Sequence, residues 1–261
     1  MNNKEKIIVV KIGGSTLGSH DTTIEDVVEL QKRGRPVVIV HGGGKVITDW
    51  LSKQGVPAQF VRGERVTDNA VLDVATAVLA GLVNKEIVAA INGLGGKAAG
   101  ISGVDGGLVR SEIKNAELGF VGGITNVDLS LLNVLLQAGF VPVVATVCGN
   151  ASGKKDEPQI LNVNADAVAG DIAAALGAGK LVFLTDVDGI HDSSGKVLTK
   201  LSPEEAETMI SSGVASGGMI PKIKACLKAI KGKASTCIID GRQPHALLQD
   251  IEGKVSGTVI K

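Results

Sequence analysis

Short β-branched apolar runs recur along the chain, each followed by a glycine-rich turn and then a stretch whose apolar positions repeat at helical spacing. The runs at residues 7–12, 36–41, 141–145, 181–185 and 234–239 are almost continuously apolar, as in strands covered on both faces. Helical spacing fills 24–33, 46–54, 69–92, 128–138, 165–176, 203–211 and 221–230. This alternation predicts an α/β fold, a three-layer αβα sandwich with a mainly parallel central sheet. Ligands of such sheets sit beyond the carboxyl ends of the strands, so the loops after the strands are where chemistry is sought. Between residues 93 and 123 the pattern loosens into short glycine-rich pieces that suggest hairpins or an inserted lid. No repeat or linker interrupts the chain, which reads as a single domain over residues 1–261 with two lobes meeting near residue 150.

The uncharged stretch 129–153 is long enough to span a membrane, but Asn133, Gln137, Gly139 and Pro142 break it into a helix, a turn and a buried strand. Residues 1–6 are polar and match neither a secretory nor a transit peptide. Cys148, Cys226 and Cys237 are odd in number and form no C-x-x-C pair, which favours a reduced, cytoplasmic setting. Lys and Arg together number 27, as do Asp and Glu, and there are four Phe, one Trp and no Tyr. A chain with no basic surplus and few stacking platforms lacks the footprint of a nucleic-acid binder. Glycine is the outlier, with 35 residues of 261, about twice the ordinary ~7% share.

Two glycine clusters occupy equivalent positions: Lys11-Ile12-Gly13-Gly14-Ser15 after the first strand and His41-Gly42-Gly43-Gly44-Lys45 after the second. Consecutive glycines let several backbone N–H groups converge on an anion, and a following helix adds partial positive charge, so the pair favours phosphate over plain tight turns. No Gly-Lys pair is followed by Ser or Thr, which excludes a Walker A loop. Gly93-x-Gly95-x-x-Ala98 follows a helix rather than a strand, which excludes the dinucleotide fingerprint. Arg65 stands at the entrance of a helix capped by Thr67 or Asp68, where it either grips a carboxylate or lies solvated. Asn164 suits the N-cap of the next Ala-rich helix, yet Asn162, Asn164 and Asp166 together exceed what a cap requires. Lys222 sits beside Pro221 in a first helical turn, an unfavourable place for a cation unless an anion binds there. His41 can brace its own glycine loop, while His20, His191 and His245 are isolated. The absence of H-E-x-x-H, of a Cys/His cluster and of G-x-S-x-G excludes the common zinc and serine-hydrolase sites.

VVKIGGS at 9–15, VIVHGGG at 38–44, GERVTD at 63–68, LVNKEIVAAINGLGGKAAGISGVDG at 82–106, NVNADAVAG at 162–170, LTDVDGI at 184–190, GGMIPK at 217–222 and IIDGRQPHALL at 238–248 resemble, in this order, the amino acid kinase family. The resemblance covers nearly the whole chain. It implies an eight-stranded, mainly parallel sheet, an N-terminal lobe to about residue 150 that holds the amino-acid substrate, and a C-terminal lobe that holds ATP. Within the family it points to the branch that phosphorylates the side-chain carboxylate of N-acetyl-L-glutamate in arginine biosynthesis. By this resemblance Lys11 and Lys222 neutralise the transferring phosphoryl group from opposite sides and Asp166 holds both lysines. Gly13 and Gly14 approach the nucleotide phosphates, Gly43 and Gly44 line the substrate side, Arg65 and Asn162 grip N-acetylglutamate, and Asn164 supports them. Asp186, Val187, Asp188, Gly189 and Ile190, with the turn of Val214, Ala215 and Ser216, border the adenine nucleotide.

The implied cofactor is ATP with Mg²⁺, and since no second carboxylate obviously pairs with Asp166 the metal is expected on the nucleotide phosphates and water rather than on protein ligands. Three departures limit the transfer. Gly63-Glu64-Arg65 replaces the family's usual Gly-Leu-Arg, which alters the substrate lid, and 147–158 lacks the usual Pro-containing turn and is given no role. About six residues precede the first strand, where arginine-inhibited relatives carry an additional helix, so a homodimer insensitive to arginine is expected. Two rival readings are a kinase for carrier-protein-bound aminoadipate or glutamate and a non-catalytic nucleotide-binding module. The first tends to lose the third glycine after His41 and the Asn-x-Asn-x-Asp block, and the second does not need Lys11, Asp166 and Lys222 together.

Overall fold

The computed structural model describes residues 7–13, 22–254 and 257–261, so Gly14, Ser15 and His20 lie outside the described residues. Its strands are β1 (Ile8–Ile12), β2 (Val37–His41), β3 (Phe60–Val61), β4 (Glu64–Arg65), β5 (Ala98–Ser102), β6 (Val109–Ile113), β7 (Val121–Val127), β8 (Val141–Ala145), β9 (Val147–Asn150), β10 (Ile160–Val163), β11 (Lys180–Thr185), β12 (Ile190–His191), β13 (Val197–Leu198), β14 (Lys200–Leu201), β15 (Ser235–Asp240) and β16 (Gly257–Ile260). The helices are α1 (Thr23–Lys32), α2 (Gly44–Lys53), α3 (Asn69–Thr76), α4 (Asn84–Gly93), α5 (Ser130–Gln137), α6 (Ala165–Leu176), α7 (Pro203–Ser211), α8 (Met219–Lys231) and α9 (Ala246–Ile251). A π-helical segment, Ala77–Val83, joins α3 to α4.

The main sheet has eight strands in the order β14-β16-β15-β11-β1-β2-β8-β5, parallel from β15 to β5, with β16 antiparallel to β15. Side chains alternate across each strand. Val9, Val38, Val40, Val144, Leu181 and Phe183 join one buried layer with residues of α6 and α8, while Ile8, Val10, Ile12, Val37, Ile39, Val143 and Leu184 join the other with residues of α1 to α4. The predicted three-layer sandwich is therefore the observed one. The same alternation assigns Lys11, two positions after Val9, to the α6 and α8 side, and His41, two after Ile39, to the α4 side.

All five predicted strands are present within a residue or so of the expected bounds. The pattern missed β5 because Ala-Ala-Gly-Ile-Ser has a single β-branched residue, and β14 and β16 because they are only two and four residues long. The loosened stretch does contain a hairpin, β6 and β7, which closes with β9 and β10 into a small barrel. The uncharged stretch forms α5, a turn at Gly139 with φ 79° and the buried β8. A different run, Asn69–Gly93, is a helix long and apolar enough to cross a membrane by length and composition, but Val71, Val74, Val78, Leu79, Val83, Ile87 and Ile91 are core residues against the sheet. In the stretch left without a role, Glu157 accepts from Ser152 Oγ at 2.6 Å, Lys154 Nζ at 2.9 Å and Asn150 Nδ2 at 3.2 Å, pulling its pKa down to about 2 and pinning the loop after β9.

Helices α6 and α8 pack back to back through glycine. A methyl on Gly170 would lie 2.8 Å from both Ala225 Cα and Ala225 O, and one on Gly232 would lie 2.5 Å from Ala174 Cα. Gly170→Ala is therefore expected to cost about 1–3 kcal/mol through overpacking and to lower Tm by several degrees in a thermal melt. An unchanged Tm would contradict this packing.

Candidate active site

The tight α6–α8 contact brings the starts of both helices together. Asp166, second residue of α6 and 5% exposed, meets one lysine at each carboxylate oxygen. Lys11 Nζ lies 2.8 Å from Oδ1 and Lys222 Nζ 3.2 Å from Oδ2. Asn164 is the N-cap of α6, its Oδ1 accepting from Asp166 N at 2.9 Å and Ala167 N at 3.2 Å, so the capping role is real and it sets the turn that presents Asp166. Lys222 is the fourth residue of α8, which begins two residues before the expected start, and its ammonium also donates to Gly218 O at 3.3 Å. Two ammonium groups on one carboxylate leave a positive excess at a nearly buried point, which suits a further anion.

Arg65 comes from the β3–β4 hairpin, and Asp68, not Thr67, caps the helix that follows, accepting from Val71 N at 2.9 Å. The solvated alternative for Arg65 does not hold: the residue is 8% exposed. Its Nη2 donates to Gly44 O and to Thr48 Oγ1, both at 2.8 Å, and its guanidinium carbon lies 4.7 Å from the Phe60 ring centre. Nη1 is buried and has no hydrogen-bond partner among the described residues. Burial pulls the Arg65 pKa below its ordinary value, yet a guanidinium stays charged in proteins, so Nη1 is a donor in want of an acceptor. Thr67 Oγ1 donates to Arg65 O at 2.9 Å and accepts from Asn162 Nδ2 at 3.2 Å, which ties Asn162 to the same corner.

Lys11, Gly43, Gly44, Arg65, Asn162, Asn164 and Asp166 all line one cleft of about 230 Å³. The helix α2 opens into it with glycine at the N-cap and first helical positions, so its free N–H groups carry no competing side-chain cap. Gly13 and the segments 186–190 and 214–216 do not line this cleft. The two segments are held elsewhere: Val187 N donates to Thr185 Oγ1 at 2.9 Å, Ile190 N to Thr258 Oγ1 at 2.7 Å, and Ala215 N to Met209 O at 2.9 Å. Gly189, at φ 148°, has a reason to be glycine, since a methyl there would lie 2.7 Å from Thr258 Oγ1.

The sequence reading missed Thr48, which shares Arg65 Nη2, and gave no partner for Glu64. Glu64 pairs with Lys114 at 2.8 Å, fastening the hairpin that carries Arg65 to the segment after β6. The two carboxylates lining the cleft, Glu64 and Asp166, are thus both engaged by lysines. Among the described residues no group of three or more His, Cys, Asp or Glu is arranged to hold a metal.

The family model described as the amino acid kinase family matches residues 6–240. The chain belongs to the amino acid kinase family. Within that family it is similar to the acetylglutamate kinase of Dehalococcoides mccartyi, at 46% identity over 97% of this chain and 94% of the relative. It is similar also to the acetylglutamate kinase of Nostoc sp., at 46% identity over 98% of this chain and 87% of the relative. Among solved structures, smu.665 from Streptococcus mutans superposes with a TM-score of 0.83 at 26% identity, covering 98% of this chain and 99% of that one.

Proposed function

We propose that this amino acid kinase transfers the γ-phosphoryl group of ATP to the side-chain carboxylate of N-acetyl-L-glutamate, producing an acyl phosphate for arginine biosynthesis. The observation that carries the chemistry is the pairing of Lys11 and Lys222 on Asp166: Lys11 and Asp166 line the cleft with Arg65, and Lys222, which does not line it, reaches Asp166 from behind that wall. The 46% identity to acetylglutamate kinases supports the choice of acceptor.

A carboxylate is ionised at neutral pH, so the acceptor needs no general base. One of its oxygens attacks the γ-phosphorus, the bond to the bridging oxygen of ADP breaks, and ADP leaves with that electron pair; no proton moves. The obstacle is bringing two anions together, which calls for cations and N–H groups aimed at the phosphoryl oxygens. Lys11 and Lys222 approach that group from two elements, with Asp166 holding their spacing. The N–H groups at Gly43 and Gly44 face the same charge. Arg65 takes a carboxylate of N-acetylglutamate through Nη1, and Asn162 and Asn164 flank it. Mg²⁺ enters as part of the ATP complex, because both carboxylates of the cleft are already paired. Gly13, Gly14, Asp186–Ile190 and Val214–Ser216 contact the nucleotide in this reading, the lobe before about residue 150 holding the acceptor and the lobe after it holding ATP. A cytoplasmic homodimer belongs to the same reading.

Trapping acyl phosphate with hydroxylamine, with N-acetylglutamate, glutamate, aspartate and UMP offered separately, tests the proposal. Hydroxamate is expected with N-acetylglutamate. Product only with another acceptor would overturn the reading.

A further inference from the structure

The glycine loop after β2 is braced from the layer opposite Lys11. His41 is fully buried, with Nδ1 3.0 Å from Gly42 O and Nε2 3.2 Å from Asn84 Nδ2. The Asn84 amide is oriented from its far end, because Lys85 Nζ, which can only donate, lies 2.9 Å from Oδ1. Asn84 Nδ2 also faces the carbonyl oxygens of Val143 at 2.9 Å and Ile101 at 3.2 Å. Nδ2 has two protons for these three acceptors, and a proton on His41 Nε2 would point straight at that donor, so Nε2 carries none and the proton of the neutral ring resides on Nδ1 and is donated to Gly42 O. Burial keeps the ring neutral, pulling its pKa from the ordinary value to about 4. Room for this chain of bonds is kept open by Gly100, where a methyl would collide with Asn84 Oδ1 and lie 2.6 Å from Lys85 Nζ. On the same side of the loop, a methyl on Gly43 would lie 2.7 Å from Leu79 Cδ2.

We propose that Asn84 is a positioning residue for phosphoryl transfer: by selecting the Nδ1–H form of His41 it anchors the Gly42 carbonyl and so aims the N–H groups of Gly43 and Gly44 into the cleft. This rests on the reading of that cleft as the phosphoryl-transfer site. Asn84 itself does not line the cleft.

The test compares Asn84→Ala with Asn92→Ala, a control on the same helix whose Oδ1 accepts from Ala98 N at 2.9 Å without touching the loop. Imidazole ¹⁵N spectra of the unaltered protein at neutral pH are expected to show His41 protonated at Nδ1 and bare at Nε2, and Asn84→Ala to show both forms. A loop shifted by a fraction of an ångström is expected to lower kcat about 10–100-fold, with KM for N-acetylglutamate within about threefold, while Asn92→Ala keeps kcat within about twofold. Gly100→Ala disturbs the same bonds and is expected to move both readouts in the same direction, which serves if Asn84→Ala does not fold. A proton on Nε2 in the unaltered protein, a kcat for Asn84→Ala within about twofold of normal, or an equal loss in Asn92→Ala would overturn the proposal. If the unaltered protein makes no acyl phosphate from N-acetylglutamate, the functional reading falls. Amide exchange at Gly43 and Gly44 then decides the positioning role: clearly faster exchange in Asn84→Ala upholds it and equal exchange sinks it.

Discussion

Alanine at Lys11 or at Lys222 is expected to lower kcat by about 10²–10³, the scale of losing one preorganised donor to a developing transition-state charge. Each lysine is paired with Asp166, so either variant leaves the buried carboxylate one remaining ammonium and the fold intact. The loss should therefore appear in kcat with little change in Tm. Steady-state kinetics of the purified variants checks this, and near-normal kcat in either would remove the assignment. Asp166→Asn should be milder than the two lysine variants combined, because the amide still accepts one hydrogen bond while relaxing the distance between the ammonium groups.

Arg65→Ala should act at the other end of the cleft. Charge-assisted hydrogen bonds contribute about 1.5–3 kcal/mol, so kcat/KM for N-acetylglutamate is expected to fall about 10–100-fold, mainly through KM. KM for ATP should stay near normal. Arg65→Lys is not expected to rescue, since an ammonium cannot hold Gly44 O and Thr48 Oγ1 through one nitrogen while presenting a second to the ligand. Rescue by lysine, or an equal rise in both KM values, would show that Arg65 acts as a strut for α2 rather than as a ligand group.

The sandwich was legible because its central strands announce themselves: a run such as Val37–His41, buried at every position, can only be an interior strand. The edge strand β5 was not, because its Gly100 is there to accommodate Asn84 and Lys85 and not to build the sheet. The glycine loops and the Asn162 to Asp166 block carried the site in their local composition. The bonds that hold His41 did not, since they join residues 43 positions apart through an amide whose orientation only the fold reveals. A signal was nonetheless present: Asn84-Lys85-Glu86 follows directly on the apolar run Ala77–Val83, and the structure buries Asn84 fully. Glu64 looked like a departure from the family pattern and proves to be a fastening, intelligible only once Lys114 stands opposite it.

Strand pairing sets the relative height of the two loops that follow β1 and β2, with Lys11 opposite Val40 and Ile12 opposite His41. A slip of one residue in β1 would turn Lys11 away from Asp166, and the same slip in β2 would turn His41 away from Asn84. The acceptor side is built differently. Arg65 rides on a two-stranded hairpin outside the main sheet, held by a ring contact and an exposed ion pair. On the proposed reading, substitutions in that hairpin that spare Arg65, whose Nη2 is bonded to Gly44 O, are expected to change which carboxylic acid is accepted and to leave the groups that move the phosphoryl group in place. The architecture thus separates a part of the molecule open to divergence from a part that the ladder of the sheet holds constant.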